Sequence, residues 1–88
     1  MLACVCLNPS FDRTVSLRSF TVGDVNRVLS ARQDVGGKGI NVAITARRLG
    51  IASCVLGCAG KNGIDAVRCK LDGEQVTHVF LPVDGDVR

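Results

Sequence analysis

The sequence predicts an α/β fold with a parallel core sheet, and three observations lead to this prediction. Continuous apolar runs at 2–7 and 51–57 are typical of strands buried on both faces, and a third strand is predicted at 77–83. Stretches with helical apolar spacing separate these strands from one another. Strands that alternate with helices are typical of parallel sheets with right-handed crossovers.

An acidic residue follows the first predicted strand. The strand ends at turn-forming residues, Asn8, Pro9 and Ser10, and Asp12 follows two positions after Ser10. Ligands of open α/β sheets bind outside the carboxyl ends of the strands, so Asp12 is well placed to contact a ligand. An aspartate here fits equally well as a turn residue that bonds to its own backbone.

Two half-exposed strands are predicted as an insertion at about 13–31, before the first helix. Residues 13–18 alternate between polar and apolar, a turn surrounds Gly23 and Asp24, and 25–31 form the second strand. Such an insertion is no part of a standard βαβ crossover, and its apolar face needs cover. We expect a lid beside a ligand site, or a clasp to a second subunit.

A glycine-rich segment at 36–41 precedes the first helix, which is predicted from about Gly39 to Leu49 with Gly50 as its cap. Free amides at the helix start, together with Lys38, favour an anion or a polar ligand there. A flexible loop before an ordinary helix is the alternative. The nucleotide-hydrolase phosphate loop is excluded because Gly39 follows the lysine, and the dinucleotide fingerprint is excluded because it needs a glycine in place of Val42.

The second half of the chain continues the alternation. Arg47 and Arg48, at the end of the first helix, are predicted to be solvated surface residues. Gly57, Gly60 and Gly63 are predicted to form a turn into the second helix, or a loop that admits a ligand. The second helix should end at 72–73, and after the third strand residues 84–86 should form a turn.

Composition excludes several classes of function. The chain has no Trp or Tyr and a net charge of +3 without a basic run, which argues against nucleic-acid binding. No stretch approaches the length of a membrane span, and no signal peptide is visible. The five cysteines lack the spacing of a zinc site, so we expect no metal site, and reduced thiols in a cytoplasmic protein.

Five segments, in order, resemble the N-terminal part of the PfkB branch of ribokinase-like sugar kinases. The family patterns are T-L-N-P-A-[IL]-D, G-E-V-N-R-V, P-G-G-K-G-I-N-V-A, A-R-L-G and K-G-E-T-R. One departure is Val35, which replaces the usual proline. The matching segments are 6–12, 23–28, 36–43, 47–50 and 83–88. The resemblance implies a ribokinase-like parallel-sheet sandwich in which the inserted strands form a small lid.

The resemblance also implies a binding site for a phosphorylated sugar. Asp12 would accept hydrogen bonds from sugar hydroxyls, and Lys38 and Arg88 would face the phosphate. Arg27 of the lid is a weaker candidate for the phosphate. The implied substrate-binding residues are Asp12, Arg27, Gly36, Gly37, Lys38, Asn41 and Arg88.

Kinases of this family transfer the γ-phosphoryl group of ATP to a sugar hydroxyl with the help of Mg²⁺. Their catalytic base lies in a downstream G-x-G-D motif, beside the ATP pocket, and nothing in this sequence matches that motif. We therefore expect no catalytic residue here. We expect the N-terminal part of a longer domain, inactive by itself, with most of the ATP and Mg²⁺ contacts elsewhere. Three predicted core strands would also leave open sheet edges, which agrees with that expectation.

Within the family the sequence is most similar to 1-phosphofructokinases and tagatose-6-phosphate kinases. The implied acceptor is therefore fructose 1-phosphate, with tagatose 6-phosphate and fructose 6-phosphate as alternatives. A different class of function is a small non-catalytic α/β module for binding or dimerisation, with the lid as its interface.

Overall fold

Three parallel strands, two helices and one antiparallel hairpin make up the chain, and a computed structural model describes all 88 residues. The parallel sheet has the strand order β1-β4-β5, and β2 pairs with β3 in the hairpin. This arrangement confirms the predicted α/β fold with an inserted pair of strands. The elements are β1 (Leu2–Cys6), β2 (Ser10–Leu17), β3 (Val28–Gly36), α1 (Lys38–Arg48), β4 (Ser53–Asn62), α2 (Ile64–Gly73) and β5 (Thr77–Asp86).

The hydrophobic core lies between the sheet and the two helices. The helical apolar spacing turns one face of each helix towards the strands, so that Ile40, Val67 and Leu71 are completely buried. Val55, in the central strand β4, is buried beneath them. Neither helix has the length and the apolar character that crossing a membrane requires.

The prediction that the first two strands are buried on both faces is wrong for this chain. Val5, Leu56 and Val79 lie side by side across the sheet, and they are 65%, 44% and 55% exposed. The order β1-β4-β5 advances in one direction, and crossovers of one hand then place both helices on the same face of the sheet. The opposite face, with its apolar residues, is open to solvent.

The hairpin is longer than the predicted insertion and is shifted along the chain. Its strands are Ser10–Leu17 and Val28–Gly36, whereas 13–18 and 25–31 were predicted. The region around 25–27 lies in the connecting turn, because the Asn26 amide group bonds to the backbone N–H and C=O of Thr21 and to the C=O of Asp24. The polar sequence of 32–34 hid the end of β3 from a prediction based on apolar alternation.

The glycines of β4 do not form the predicted turn or loop. Gly57 lies inside β4, where a Cβ atom would stand only 1.8 Å from the carbonyl oxygen of Cys6, so the close approach of β1 explains this glycine. Gly60 also belongs to β4, and Gly63 caps the start of α2. Residues 84–86 were predicted to be a turn, but they continue β5 to Asp86.

The end of α1 is tied to the connection between α2 and β5. Gly50 has a φ of 86° and donates its amide to the Arg47 carbonyl over 3.0 Å, which confirms its predicted capping role. The Arg47 guanidinium bonds to the backbone and side chain of Gln75, and Arg48 forms two bonds with the carboxylate of Glu74. Arg48 is exposed, as predicted, whereas Arg47 is half-buried, and both arginines also make these contacts.

Candidate functional site

An open cavity of about 570 Å³ lies at the carboxyl end of β1, where the parallel sheet meets the base of the hairpin. Three parts of the chain close it: the segment after β1, the N-terminus of α1, and the residues that follow β5. Six of its 11 lining residues have polar side chains. The polar side chains around it are those of Asn8, Ser10, Asp12, Lys38, Asn41 and Arg88.

The glycines before α1 let the helix begin directly against the end of β1. Gly37 has a φ of 130°, and a Cβ atom there would lie 3.1 Å from the Cys6 sulfur and 3.3 Å from the Cα of Pro9. At Gly39 a Cβ atom would stand 2.6 Å from the carbonyl oxygen of Val5. Side chains at these positions would push the helix away from the strand. The start of the helix is one wall of the cavity, so the shape of the cavity would change as well.

The N-terminus of α1 opens onto the cavity as the sequence predicted, although the helix begins one residue earlier, at Lys38. No side chain caps its first amides, and its first turn holds no acidic residue. Unpaired amides and the positive end of the helix dipole therefore face the cavity together with Lys38. Such an end of a helix favours an anionic or a strongly polar ligand.

Two cationic side chains reach the cavity from different elements. Lys38 comes from the start of α1 and Arg88 follows β5, and neither takes part in an ion pair within the chain. Arg88 is held beside the hairpin because its carbonyl accepts the Phe11 amide over 2.6 Å. Together they offer an anion a point charge and a planar guanidinium.

Asp12 lies within β2, and its carboxylate lines the cavity. Gly36, its diagonal neighbour in β3, is not part of the lining but leaves the room that this carboxylate needs. A Cβ atom at Gly36 would stand 2.3 Å from Oδ2 of Asp12. The candidate role of Gly36 is therefore to make space for Asp12.

Besides Gly36, Arg27 is the candidate that does not line the cavity. It lies by the turn of the hairpin, in a separate depression that also holds Arg18 and Asn26. Conversely, Asn8 and Ser10 line the cavity although sequence reasoning had treated them only as turn residues. Their position after the carboxyl end of a parallel strand was the signal that could have found them.

The arrangement of charges suits a ligand with an anionic end and several hydroxyl groups. Lys38, Arg88 and the helix amides favour the anion, while Asp12 accepts hydrogen bonds and the Asn41 amide both donates and accepts them. No group of three or more His, Cys, Asp or Glu side chains converges anywhere in the chain.

Comparisons with known proteins agree with this chemistry. The sequence profile of the pfkB family carbohydrate kinases matches residues 6–88. The chain is 39% identical over its full length to the 1-phosphofructokinase of Bacillus subtilis (strain 168). It is 34% identical, again over its full length, to the 1-phosphofructokinase of Borreliella burgdorferi. It spans 29% of the length of each of these relatives.

Solved structures show the same fold. The crystal structure of a possible 1-phosphofructokinase from Thermotoga maritima matches 99% of this chain with a TM-score of 0.85 and 30% identity, over 29% of its own length. Phosphofructokinase-2 from Escherichia coli, in complex with fructose-6-phosphate, matches 99% of the chain and 29% of its own length with a TM-score of 0.88. At 23% identity that second likeness shows the fold alone.

Proposed function

Because this chain belongs to the pfkB family of carbohydrate kinases, we propose that its 88 residues form the acceptor side of the active site of an ATP-dependent phosphosugar kinase. The observation that carries the proposal is the convergence of Asp12, Lys38, Asn41 and Arg88 on one cavity at the carboxyl end of β1. These residues come from three separate parts of the chain, and the fold brings them together.

The sugar is oriented by its two ends. Lys38, Arg88 and the first amides of α1 bind the phosphate that the acceptor already carries, through charge-assisted hydrogen bonds. Asp12 and Asn41 bind the hydroxyl groups, and Gly37 brings the backbone close to the sugar. A sugar that is held at both ends presents one hydroxyl in a fixed direction, which is the main contribution that positioning makes to phosphoryl transfer.

Fructose 1-phosphate is the proposed acceptor, with fructose 1,6-bisphosphate as the product. Support comes from the two 1-phosphofructokinases that are 39% and 34% identical to the whole chain. Tagatose 6-phosphate and fructose 6-phosphate carry the same phosphate and hydroxyl chemistry and remain the alternative acceptors.

When bound in the complete kinase, ATP would supply the phosphoryl group and Mg²⁺ would neutralise its charge. Mg²⁺ is usually held by one or two carboxylates together with substrate phosphates, and Asp12 is the only carboxylate at this cavity. The residues present thus fit at most a partial contact with the metal. We place the catalytic base and most ATP contacts in a part of the kinase domain outside these 88 residues, so the chain alone should not transfer phosphate.

The hairpin is proposed as a dimerisation surface. Val15, Leu29 and Phe20 are exposed on or near it and nothing in the chain covers them. A second copy that packs its hairpin against this one would bury them. The alternative hypothesis is that the chain is a non-catalytic module for binding or dimerisation.

The test uses a chimeric kinase, in which these 88 residues replace the matching N-terminal segment of the Bacillus subtilis 1-phosphofructokinase. We expect Lys38→Ala and Arg88→Ala each to raise the KM for fructose 1-phosphate by roughly tenfold to a hundredfold, because each removes charge-assisted bonds to phosphate. The KM for ATP should stay unchanged. Calorimetric Kd values for fructose 1-phosphate give the same information without turnover.

Lys61→Ala is the matched control. Lys61 pairs with Asp84 at the exposed surface, away from the cavity, and its loss should leave both KM values unchanged. If Lys38→Ala and Arg88→Ala weaken ATP binding and leave the binding of the phosphosugar intact, the proposal is wrong. If the parent chimera binds no phosphosugar at all, the hypothesis of a non-catalytic module is favoured instead.

A further inference from the structure

The end of β5 contains an irregularity just before Arg88. Gly60 pairs with Val83, but the next pair joins Asn62 to Asp86, so β5 holds one more residue than β4 between these pairs. Gly85 lies in this bulge with a φ of 120°, and a Cβ atom there would meet nothing within 4 Å. The glycine is thus required for its backbone conformation alone. Bulges of this kind redirect the chain and the side chains that follow.

Asn62 holds the far side of the bulge through two hydrogen bonds. Its side-chain amide donates to Oδ1 of Asp86 over 2.8 Å, and its backbone carbonyl accepts the Val87 amide over 2.9 Å. Gly60 fits closely against the same segment, because a Cβ atom there would lie 2.5 Å from the carbonyl carbon of Asp86. Residues 86 and 87 are therefore fixed to the end of β4.

From this anchor the chain crosses to the hairpin. Val87 is buried in the core, and the Arg88 carbonyl accepts the amide of Phe11. Arg88 itself then lines the cavity, as Asp12 does. The path from Asn62 to Arg88 is thus continuous, and each step is a hydrogen bond or a buried side chain.

We infer that Asn62 and Asp86 are positioning residues, whose mutual hydrogen bond shapes the bulge and so aims Arg88 at the anionic end of the substrate. The inference rests on the proposed function, since both residues act through Arg88. Neither lines the cavity itself. Without their bond the chain after β5 has more freedom, and a substrate must then order Arg88 at the moment of binding, which weakens affinity.

The test measures KM and kcat of the chimeric kinase, with calorimetric Kd values for fructose 1-phosphate. Asn62→Ala and Asp86→Ala should each raise the KM for fructose 1-phosphate by roughly threefold to tenfold, as expected for one lost hydrogen bond. The values of kcat and of the KM for ATP should stay near those of the parent. Asp86→Asn keeps an oxygen that can accept the bond from Asn62, so it should restore most of the affinity.

A double-mutant cycle shows whether the effect passes through Arg88. In the Arg88→Ala background, Asn62→Ala and Asp86→Ala should cause no further loss of affinity. Asp84→Ala, which breaks only the exposed pair with Lys61, is the control and should change nothing. If Asn62→Ala alone fails to fold, Asp86→Ala completes the cycle, because it removes the same side-chain bond from the side of the other partner.

Two contrary outcomes are distinguishable. If Asn62→Ala and Asp86→Ala raise the KM for fructose 1-phosphate equally with and without Arg88, or do not raise it at all, the positioning inference is overturned. The proposed function then still stands. If Arg88→Ala itself leaves the affinity for the phosphosugar unchanged, the proposed function fails and the positioning role fails with it.

Discussion

The helix-covered sheet and the β2–β3 hairpin meet at one cavity, yet they are held in place in different ways. The sheet and its two helices share a core in which Val55, Val67 and Leu71 are completely buried. The hairpin has almost no core of its own, and only Phe11 and Val35, near its base, pack against the other unit.

This difference separates the two kinds of ligand contact. Lys38, Asn41 and Arg88 belong to the packed unit or to the chain anchored on it, whereas Asp12 comes from the hairpin. Asp12 follows directly after Phe11, at the anchored base of the hairpin, and the loosely held turn carries none of the cavity lining. The proposed phosphate contacts therefore rest on a rigid frame, and the hydroxyl contact from the hairpin depends on a few bonds at its base.

The largest expected effect is on the free energy of unfolding, which compares the packing of the sheet with that of the hairpin. Leu71→Ala should lower the free energy of unfolding by about 2–5 kcal/mol, because it opens a cavity in the shared core at a completely buried position. Thr14→Ala, in the hairpin, is the control. Thr14 is exposed and lies on the opposite face of β2 from Val15, outside the proposed dimer surface, so its truncation should cost less than about 0.5 kcal/mol.

Urea denaturation of the chimeric kinase measures both values, provided that the transition of its N-terminal part is cooperative. Comparable losses of stability for the two variants would mean that the hairpin is packed as firmly as the sheet. That result would contradict the proposed difference between the two regions.

An intermediate effect is expected on affinity. Asp12→Asn removes the charge that strengthens the hydrogen bonds to the sugar, so the KM for fructose 1-phosphate should rise by roughly tenfold while the KM for ATP stays the same. The melting temperature should hardly change, since Asp12 is exposed and belongs to no ion pair. Gly36→Ala, which crowds the same carboxylate, should act in the same direction.

A large drop in the melting temperature of Asp12→Asn would contradict the assignment, because it would give this aspartate a structural role at the base of the hairpin. Unchanged kinetics would instead remove Asp12 from the binding site.

The smallest effect concerns pH. Hydrogen bonding from the Arg48 guanidinium lowers the pKa of the Glu74 carboxyl below its ordinary value. A lowered pKa in the folded state means that the pair stabilises the fold above the ordinary pKa of glutamate, and that this contribution disappears as the pH falls through the lowered value. Glu74→Gln should therefore melt slightly below the parent at neutral pH.

Thermal melts of the parent and of Glu74→Gln across the acidic range check this expectation. The difference between their melting temperatures should shrink to nothing at low pH. A difference that is constant across the whole range would show that packing of Glu74, and not its charge, is responsible.

The residues that line the cavity were predictable from sequence where the signals are local. Gly37, Lys38 and Asn41 follow one another at the start of a helix, and the start of a helix can be read from a short window of residues. Asp12 was predicted from its place after a strand, and its carboxylate does line the cavity although the residue itself belongs to β2.

The wrong predictions share a different cause. Each concerns a feature that depends on a neighbour distant in sequence. Gly57 looks like a turn residue until the backbone of β1 is placed beside it, and Gly85 looks like one until the pairing of β5 with β4 reveals the bulge. The open face of the sheet follows from strand order and crossover hand, and neither can be read from the apolar character of a single strand.

The bond between the amide of Phe11 and the carbonyl of Arg88 has a consequence for the biosynthesis of the protein. The two residues are far apart in sequence, so a ribosome completes β1, the hairpin and α1 before the last wall of the cavity exists. Until Arg88 has left the exit tunnel, the base of the hairpin lacks this link. A translational pause upstream of Arg88 would therefore leave the helices formed and the cavity incomplete.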